Sequence, residues 1–226
     1  MVFTFWEGTM PDYIKLCLRT WKFDYIVLDY SNLKDFTDLP VDDRLKRFSL
    51  PQIADCVRAH VLRDIGGHWL DTDTISITGK LPVENVIGDV DTREHHIGYL
   101  HTEANSDMFV KWAEYQDKVL ADPNASHTWN VMGNAFTDIY VKEHGDIKIH
   151  PTGAFFPEIY MEEKGSRWAK YDKFYFKMNY ELSDITKPSD LFLLHNSWTP
   201  ETYKRFSEEE VLEHECTLSN ILKELL

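Results

Sequence analysis

Residues 53–74 read IADCVRAHVLRDIGGHWLDTDT, and the order of elements in this stretch decides the fold. Apolar residues recur at helical spacing in its first half, and the two glycines that follow tolerate the left-handed backbone with which many helices end. Residues 68–77 then alternate as a strand does, so we expect Asp71 and Asp73 to point to the same side, with Cα atoms about 6.6 Å apart. Two like charges on one face repel each other unless a cation or a substrate answers them. The stretch therefore predicts a helix, a strand and a ligand site.

The predicted helix begins at Pro51 and ends at the glycine pair 66–67. Asp55 and Arg58 lie three residues apart and therefore share one of its faces. An exposed ion pair of this spacing adds little stability and is the simplest interpretation. Because the helix leads through the glycine turn to Asp71, the same polar face is also a candidate wall of the ligand site. The expected core stripe is on another side and consists of Ala54, Val57, Val61 and Ile65.

The segments around this stretch predict an α/β fold. VFTFW (2–6), a helix opened by Pro11, and DYIVLDY (24–30) give strand, helix and strand within about 30 residues, which is the βαβ unit of a parallel sheet. We expect the strand of the DTDT motif to be a central one. No repeat or flexible linker interrupts the pattern, so we expect residues 1–226 to form a single domain. The later elements that we expect are strands in 95–101, 146–151 and 190–198, helices in 106–122 and 129–145, a turn in 154–160, and one final helix over 207–226.

The charge balance narrows the range of partners. The chain has 24 basic and 38 acidic residues and a formal net charge of -14, which disfavours nucleic acids and anionic lipid surfaces. Three widely spaced cysteines (Cys17, Cys56, Cys216) are expected to be buried thiols in a reducing compartment, not a disulfide framework. With no apolar run of about 20 residues and no signal-peptide pattern, we expect a cytoplasmic protein without a transmembrane segment.

The paired aspartates favour a divalent cation. Carboxylate oxygens suit Mg²⁺ or Mn²⁺, which usually bridge a carboxylate to substrate phosphates. The letters DTDT also fit the nucleophile loop of haloacid-dehalogenase-like phosphatases, in which the first aspartate, here Asp71, attacks phosphorus. That interpretation needs a later lysine and acidic pair, and the candidate pair in residues 88–91 follows too closely. A calcium loop fails because Ile75 stands where an oxygen ligand is required.

A second polar group, His195-Asn196-Ser197-Trp198, follows the apolar run 191–194. Ligands of α/β sheets gather at the carboxyl ends of strands, so this group is placed to reach them. An imidazole can bind a divalent metal, and amide, hydroxyl and indole groups can donate hydrogen bonds to phosphate oxygens. The alternative is a capped strand end with a packed tryptophan. The pair His95-His96 is interpreted as a polar strand edge.

Taken together, these segments resemble a known family. FTFWEGTMPDYIKLCLRTW, YIVLDYSNL, IADCVRAHVLRDIGGHWLDTDT and LLHNSW resemble, in this order, the bacterial capsular polysaccharide synthesis proteins and the related DXD-containing glycosyltransferases of family 32. MGNAFTDIYVK and IKIHPTGAFFP are similar to the middle of that family. The resemblance implies a GT-A fold, which is a Rossmann-like nucleotide-sugar-binding domain with a mixed, mainly parallel sheet flanked by helices.

The resemblance also implies an activity. It is the retaining transfer of a hexose, dependent on Mn²⁺ or Mg²⁺, from a nucleoside diphosphate sugar to an acceptor, with UDP as the expected nucleotide. The acceptor would be a polysaccharide or another glycan, lipid-linked or protein-linked, and the enzyme would be cytoplasmic, meeting the membrane only through that acceptor. A binding module that keeps the donor pocket without transfer chemistry is the alternative from another class.

Site residues follow from the same resemblance. Those that border the nucleobase would be Phe5, Trp6 and Gly8. The residues expected to bind the donor sugar or ribose would be Asp55, Arg58 and Asp71. The resemblance implies that these three and Asp73 are catalytic. The metal would be bound by Asp73, with His195 or Asn196 completing its site, and the diphosphate by Asn196, Ser197 and Trp198. The chain departs from the family pattern at His68 and in the letters MGN (132–134), which affects details of the acceptor side.

Overall fold

A computed structural model describes residues 1–81, 86–88, 95–144, 149–150, 157, 164–185 and 189–226. The strands are β1 (Val2–Phe5), β2 (Tyr25–Leu28), β3 (Gly66–Leu70), β4 (Thr74–Ser76), β5 (Val86–Gly88), β6 (His95–Glu103), β7 (Ile149–His150) and β8 (Leu191–Leu193). The helices are α1 (Asp12–Arg19), α2 (Asp43–Lys46), α3 (Leu50–Asp64), α4 (Asp107–Ala121), α5 (Asn134–Glu143), α6 (Arg167–Asp172), α7 (Glu201–Lys204), α8 (Glu208–Glu213) and α9 (Thr217–Leu225). Within these ranges, no helix combines the length and apolar character needed to cross a membrane.

The chain divides into two compact units of three segments each. Unit 1 contains Met1–Gly8, Asp24–Asp71 and Val83–Pro151, and unit 2 contains Thr9–Phe23, Thr72–Pro82 and Thr152–Leu226. The DTDT motif is therefore shared, because Asp71 ends a segment of unit 1 and Thr72 begins a segment of unit 2. The sequence pattern shows no such division, and the single domain over 1–226 stays a prediction.

The sheet of unit 1 has the strand order β2-β1-β3-β6-β5-β7. The pairs β1–β2, β1–β3 and β5–β7 are parallel, and the pairs β3–β6 and β5–β6 are antiparallel. β3 has a neighbour on each side, so the strand before the DTDT motif is central, as predicted. The predicted α/β class, with a mixed, mainly parallel sheet and flanking helices, is confirmed.

Helix α3 supplies much of the apolar core of unit 1. Its first turn is capped by Gln52, whose Oε1 accepts a 3.1 Å hydrogen bond from the Ser49 amide. The buried apolar residues of α3 pack in one cluster with Phe3 of β1 and Trp69 of β3. Ile65, expected in the core stripe, is instead 43% exposed, because the helix ends at Asp64 and the chain leaves the helical path there.

The predicted strand over 68–77 is wrong in its middle. β3 ends at Leu70, and the last ladder bond is the Asp71 amide to the Gly98 carbonyl, 2.9 Å. β4 begins at Thr74 and pairs antiparallel with β8 in a separate two-stranded sheet of unit 2. The alternation of apolar and polar residues thus runs through two separate strands, β3 in the large sheet and β4 in the small one. The chain between them, residues 71–73, belongs to neither strand. The expected common strand face of Asp71 and Asp73 therefore does not exist.

Tertiary hydrogen bonds also shorten two predicted helices. The expected helix over 207–226 is broken between Glu213 and Thr217. His214 and Cys216 have extended backbones there, and the Thr217 amide donates to the Met178 carbonyl at 3.0 Å. The helix expected over 129–145 begins only at Asn134. The turn before it is fixed by the Met132 carbonyl, which accepts hydrogen bonds from Trp112 and Gln116.

Most other predicted elements are confirmed with shorter bounds. The three cysteines are free and buried, as expected. Of the strand expected over 146–151, β7 covers two residues, and the rest lies outside the described residues. The turn expected over 154–160 lies outside them except for Pro157.

The backbone conformation after α3 requires glycine at positions 66 and 67. Gly67 has φ +93°, and a Cβ there would stand 2.6 Å from the Met1 carbonyl oxygen. Gly66 has φ +71°, and its Cβ would stand 2.5 Å from the Ala104 amide nitrogen. Both positions combine a left-handed conformation with a close approach of another backbone, so only glycine fits there.

Substitution of Gly67 by Ala is expected to destabilise the protein strongly. Gly8→Ala is the matched control, since Gly8 has φ +87° but nothing within 4 Å of the added Cβ. We expect Gly8→Ala to lower the free energy of unfolding by about 1 kcal/mol and Gly67→Ala by about 3 kcal/mol or more, because the second adds a backbone collision to the same strain. Urea denaturation measures both, and equal losses would show that the close approach to Met1 costs nothing.

His60 is a buried histidine between α3 and α4. It is 1% exposed, and neither ring nitrogen has a hydrogen-bond partner among the described residues. Its Nε2 lies 3.6 Å from Asp117 Oδ1. Burial lowers the pKa of His60 to about 4; Arg63 acts in the same direction, and Asp117, Asp38 and Asp64 act against it. The ring is therefore neutral in the folded protein at neutral pH.

This histidine makes stability fall with acidification. Between pH 6.5 and 4 the unfolded chain binds the proton that folded His60 excludes, so the free energy of unfolding decreases as the pH falls through that window, by up to about 3 kcal/mol. His60→Phe is expected to reduce the difference between urea denaturation at pH 7 and pH 5. His127→Phe, at an exposed histidine, is expected to leave that difference unchanged. Identical pH dependence in both variants would contradict the prediction.

Candidate active site

A group of side chains in unit 1 meets around Arg58, and we name Asp55, Arg58, Trp69 and Asp71 the Arg58 cluster. Arg58 is 4% exposed, and its Nη2 lies 3.0 Å from Asp55 Oδ1 and 3.0 Å from Asp71 Oδ1. Its Nη1 donates to the Ile97 carbonyl of β6. Trp69 Nε1 donates to Asp71 Oδ1 at 2.9 Å, and the guanidinium lies 5.1 Å from the Trp69 ring centroid. The residues predicted at this site are therefore brought together.

Local structure explains how these side chains reach each other. Asp55 and Arg58 share a face of α3, as predicted from their spacing. Asp71 directly follows β3, at the carboxyl end of a central strand, which is where ligands of α/β sheets bind. The simplest interpretation was an exposed ion pair. The Asp55–Arg58 pair is instead buried, and Arg58 also donates a hydrogen bond to the Ile97 carbonyl of β6.

Two carboxylates share one guanidinium in this cluster, so their charges are not fully neutralised. Burial raises the pKa of Asp55 to about 7; Arg58 acts in the opposite direction, and Asp71 raises the pKa further. Within the described part of the chain, Arg58 Nε is buried without a hydrogen-bond partner. A ligand that offers both donors and acceptors would match this arrangement of charges.

Two glycines make room at the cluster. A Cβ on Gly133 would stand 2.7 Å from Asp55 Oδ2, and a Cβ on Gly98 would stand 2.9 Å from Asp71 Oδ2. The Gly98 position is also 2.6 Å from His96 Cε1, so His96 lies beside Asp71. The interpretation of the pair His95-His96 as a polar strand edge stays a prediction.

The residues expected at the nucleobase lie at the carboxyl end of β1. Phe5 is buried and packs on Tyr30, with ring centroids 5.8 Å apart. The Trp6 amide donates to the Leu28 carbonyl, and its indole N–H has no partner among the described residues. A Cβ added to Gly8 would have nothing within 4 Å. Phe5 is thus part of the apolar core of unit 1 and Trp6 is hydrogen-bonded to β2, and their role toward a base stays a prediction.

A second group in unit 2 meets around Asp73, and we name Tyr13, Asp73, His195 and Asn196 the Asp73 cluster. Asp73 is 8% exposed, and its Oδ2 accepts a 2.5 Å hydrogen bond from the Asn196 amide. The Asn196 side-chain oxygen accepts a 2.5 Å hydrogen bond from the Tyr13 hydroxyl. The Asp73 carbonyl accepts from the Leu194 amide, which extends the β4–β8 ladder to the motif. The predicted pairing of Asp73 with the HNSW segment is thus present.

The HNSW segment forms a 3₁₀ turn over Asn196–Trp198, directly after β8. The His195 ring packs on Trp198, with centroids 4.1 Å apart, and its amide donates to the Tyr171 hydroxyl. The expected strand end is therefore confirmed, although β8 belongs to an antiparallel pair and not to the large sheet. Ser197 is exposed at the surface of the turn.

The charge of Asp73 raises the pKa of ionisable side chains around it. Burial raises the pKa of Tyr13 well above its usual range, and the Asp73 charge raises it further. Burial also raises the pKa of Tyr171 and of the Cys17 thiol, and Asp73 adds to both shifts. These neighbours stay protonated at neutral pH and therefore add no negative charge of their own around Asp73.

The donor set near Asp73 fits a hard divalent cation in part. It offers a carboxylate, an amide oxygen and an imidazole, which suit Mg²⁺ or Mn²⁺ when phosphate and water supply the other ligands. In the described part of the chain, no group of three or more histidine, cysteine or acidic side chains is arranged as a metal site. Asp73 and His195 as metal ligands therefore stay a prediction.

Several neighbours of the predicted residues were not expected. Neither Tyr13 nor Tyr171 belongs to any of the motifs singled out above, and nothing in the sequence ties Tyr13 to a residue 183 positions later. Gly98 and Gly133 gave the only local signal, since a glycine inside a strand or before a helix marks a close approach.

Comparison with known proteins completes this description. No curated protein matches the chain. Among solved structures, it is similar to one titled "PaToxG Glycosyltransferase", with 15% sequence identity and a TM-score of 0.45, over 64% of this chain and 68% of that one. The family described as "Capsular polysaccharide synthesis protein" matches residues 1–223. Because that match extends over nearly the whole chain, the protein belongs to the capsular polysaccharide synthesis protein family.

Proposed function

We propose that this protein is a glycosyltransferase of the GT-A type that transfers a hexose from a nucleoside diphosphate sugar, UDP-hexose in particular, to a glycan acceptor. Family membership supports the reaction class. The observation that carries the proposal is the buried Arg58 with its two carboxylates, because a cluster of this kind binds a polar, uncharged ligand better than it binds an anion. The acceptor would be a polysaccharide or an oligosaccharide linked to lipid or protein.

In this proposal the Arg58 cluster binds hydroxyl groups of the donor. Asp71 Oδ1 is occupied by Arg58 and Trp69, which fixes the orientation of the carboxylate. A fixed carboxylate loses little conformational entropy when it binds a sugar, and this orientation contributes to the rate. Arg58 holds Asp55 and Asp71 in one geometry, and it is therefore a positioning residue.

The Asp73 cluster would hold Mn²⁺ or Mg²⁺ through Asp73 and His195, with Asn196 beside them. When bound, such a cation neutralises the charge that develops on a departing diphosphate. The exposed Ser197 and the Trp198 indole supply donors for phosphate oxygens. Asp73 is kept in place by the Asn196 amide, so its charge is aimed before the substrate arrives.

The stereochemistry belongs to the same proposal. Within the described residues, each aspartate of the two clusters has a partner: Asp55 pairs with Arg58, Asp71 with Arg58 and Trp69, and Asp73 with Asn196, so none is poised alone as a nucleophile. This arrangement is compatible with a retaining reaction, in which the acceptor attacks the anomeric carbon from the same face from which the diphosphate leaves. The phosphatase alternative gains nothing here, because its nucleophile would be Asp71, and the pair expected in 88–91 lies outside the described residues apart from Gly88.

Asp73→Asn is expected to abolish Mn²⁺-dependent hydrolysis of UDP-glucose, with a loss of at least about 100-fold in kcat, because the amide keeps the shape but not the charge. Glu208→Gln, which removes an exposed acid of unit 2, is the control and should retain activity. A thermal shift by Mn²⁺ with UDP should be present in the wild type and absent in Asp73→Asn. Unchanged turnover in Asp73→Asn would end the assignment of this residue, and binding of UDP without any turnover in the wild type would favour the binding module.

Arg58→Lys is expected to lower kcat/KM for the same donor by about 10- to 100-fold, because an ammonium cannot span two carboxylates and a carbonyl as the guanidinium does. Arg63→Lys is the matched control on the same helix. Arg63 pairs with Asp38 and Asp64 outside the cluster, so its replacement should leave kcat/KM within about threefold. Equal effects of the two changes would argue that Arg58 acts only through the stability of α3.

A further inference from the structure

Trp129 is the most exposed tryptophan of the chain and lies in the turn that leads into α5. It is 68% exposed, whereas Trp69 and Trp112 of the same unit are buried. Single apolar residues at a surface are common, but a tryptophan exposes a large apolar area and is usually at least partly packed. An exposed indole points to a ligand when the chain around it is held rigidly, because the backbone then cannot fold it away.

The backbone on both sides of Trp129 is fixed by buried side chains. The Thr128 carbonyl accepts a 2.9 Å hydrogen bond from the side-chain amide of Gln52, in the first turn of α3. The Met132 carbonyl accepts hydrogen bonds from two side chains of α4, at 2.8 Å and 2.6 Å. All three donor side chains are buried. The turn is thus anchored to both helices, and Trp129 is exposed between the two anchors.

The same turn leads directly to Asp55 of the candidate site. Gln116 Nε2 donates to the Asp55 carbonyl at 3.0 Å, and a Cβ on Gly133 would stand 2.7 Å from Asp55 Oδ2. The Gly133 amide donates to the Asn130 carbonyl at 3.0 Å, which closes a turn whose end Cα atoms lie within about 7 Å. Trp129 precedes Asn130, so its Cα lies at most about 11 Å from that of Gly133. An oligosaccharide with one end at Asp55 is long enough to span this distance.

The surroundings of Trp129 favour a neutral ligand with an apolar face. Residues 119–141 contain no lysine or arginine, and Thr128 and Asn130, next to Trp129 in the chain, are exposed and uncharged. With a formal net charge of -14, an anionic polymer or an anionic lipid surface is disfavoured there. An indole attracts C–H groups to its electron-rich face, and the contact removes apolar area from water. A pyranose ring offers such a face of C–H groups and keeps the hydroxyls at its edge in water.

We propose that Trp129 is part of an acceptor site, and that its indole stacks on a neutral sugar ring of an oligosaccharide acceptor. This inference rests on the proposed function, in which the Arg58 cluster binds the donor. The reacting sugar of the acceptor must then lie beside the donor, and a ring further along the oligosaccharide binds at Trp129. A rigidly held aromatic residue loses little conformational entropy on binding, so it contributes affinity and orients the glycan.

Neutral tetrasaccharides serve as the probes, namely cellotetraose, maltotetraose, laminaritetraose and mannotetraose. Each is titrated into the protein with UDP and Mn²⁺ present, and the indole ¹H–¹⁵N signals are recorded. The Trp129 signal is identified by its absence from the spectrum of Trp129→Ala. We expect it to shift with at least one tetrasaccharide, and less with glucose or mannose, because a single sugar does not span the site. A protein that hydrolyses UDP-glucose but shows no such shift with any tetrasaccharide would overturn the inference.

Variants then measure what the indole contributes. Trp129→Ala is expected to weaken binding of the responding tetrasaccharide in calorimetry by about 10- to 100-fold, whereas Trp129→Phe keeps an aromatic face and should stay within about fivefold. Trp168→Ala, at a second exposed tryptophan, is the matched control and should bind like the wild type. Since both tryptophans are exposed, neither alanine variant should lower the melting temperature by more than a few degrees. Equal tetrasaccharide affinity in Trp129→Ala and the wild type would overturn the inference.

Two other occupants of Trp129 would give different results. If a nucleobase stacked on the indole, Trp129→Ala would lose as much affinity for UDP as for the tetrasaccharide. If a second copy of the chain covered it, Trp129→Ala would change the oligomeric state in sedimentation velocity. Either result would overturn the inference and leave the proposed function in place. A wild type that neither hydrolyses nor binds any UDP- or GDP-hexose would overturn the proposed function, and this inference with it.

Discussion

The buried positive charge of Arg58 is the constraint on which unit 1 depends. Transfer of a guanidinium out of water is costly unless acceptors surround it. Here the acceptors come from different elements: Asp55 from α3, Asp71 from the end of β3, and the Ile97 carbonyl from β6. The charge can therefore be satisfied only when the helix and both strands are in register. Arg58 thus specifies the arrangement of the site as well as its chemistry.

The two aspartates of the DTDT motif differ in what surrounds them. Asp71 is next to a cation and an indole donor, so its charge is partly neutralised within unit 1. Asp73 lies near the hydroxyls of Tyr13 and Tyr171 and the thiol of Cys17, all in unit 2, and it raises the pKa of each. In the proposed function, the first carboxylate holds a hydroxyl and the second binds a cation. A single short motif thus provides two environments, because the chain changes unit between its aspartates.

Local patterns predicted what is locally determined. The spacing of Asp55 and Arg58, the capped start of α3 and the glycine stop after it are short-range features, and the structure has all three. The continuity of the strand after Leu70 was wrong, since alternation of side chains does not reveal which neighbour each strand has. Cys216 is similar: its surroundings read as helical, but a distant carbonyl at Met178 takes the next amide.

The site shows the same limit. The charged residues of the site were predicted, because Arg58 and the paired aspartates stand at informative spacings around the glycine turn. Tyr13 was missed, because its contact with Asn196 joins segments that are far apart along the chain. Chemistry carried by a motif is visible in a sequence, whereas the groups that orient it mostly are not.

The space at Gly98 has a consequence for how this sequence can vary. Because His96 and Asp71 both occupy the volume of the missing side chain, positions 96 and 98 cannot change independently. A homologous chain with alanine at position 98 would need a residue smaller than histidine at position 96, or else a displaced aspartate. Positions 96 and 98 should therefore covary among homologues. If both positions change one after the other during evolution, the protein that carries only the first change should function less well.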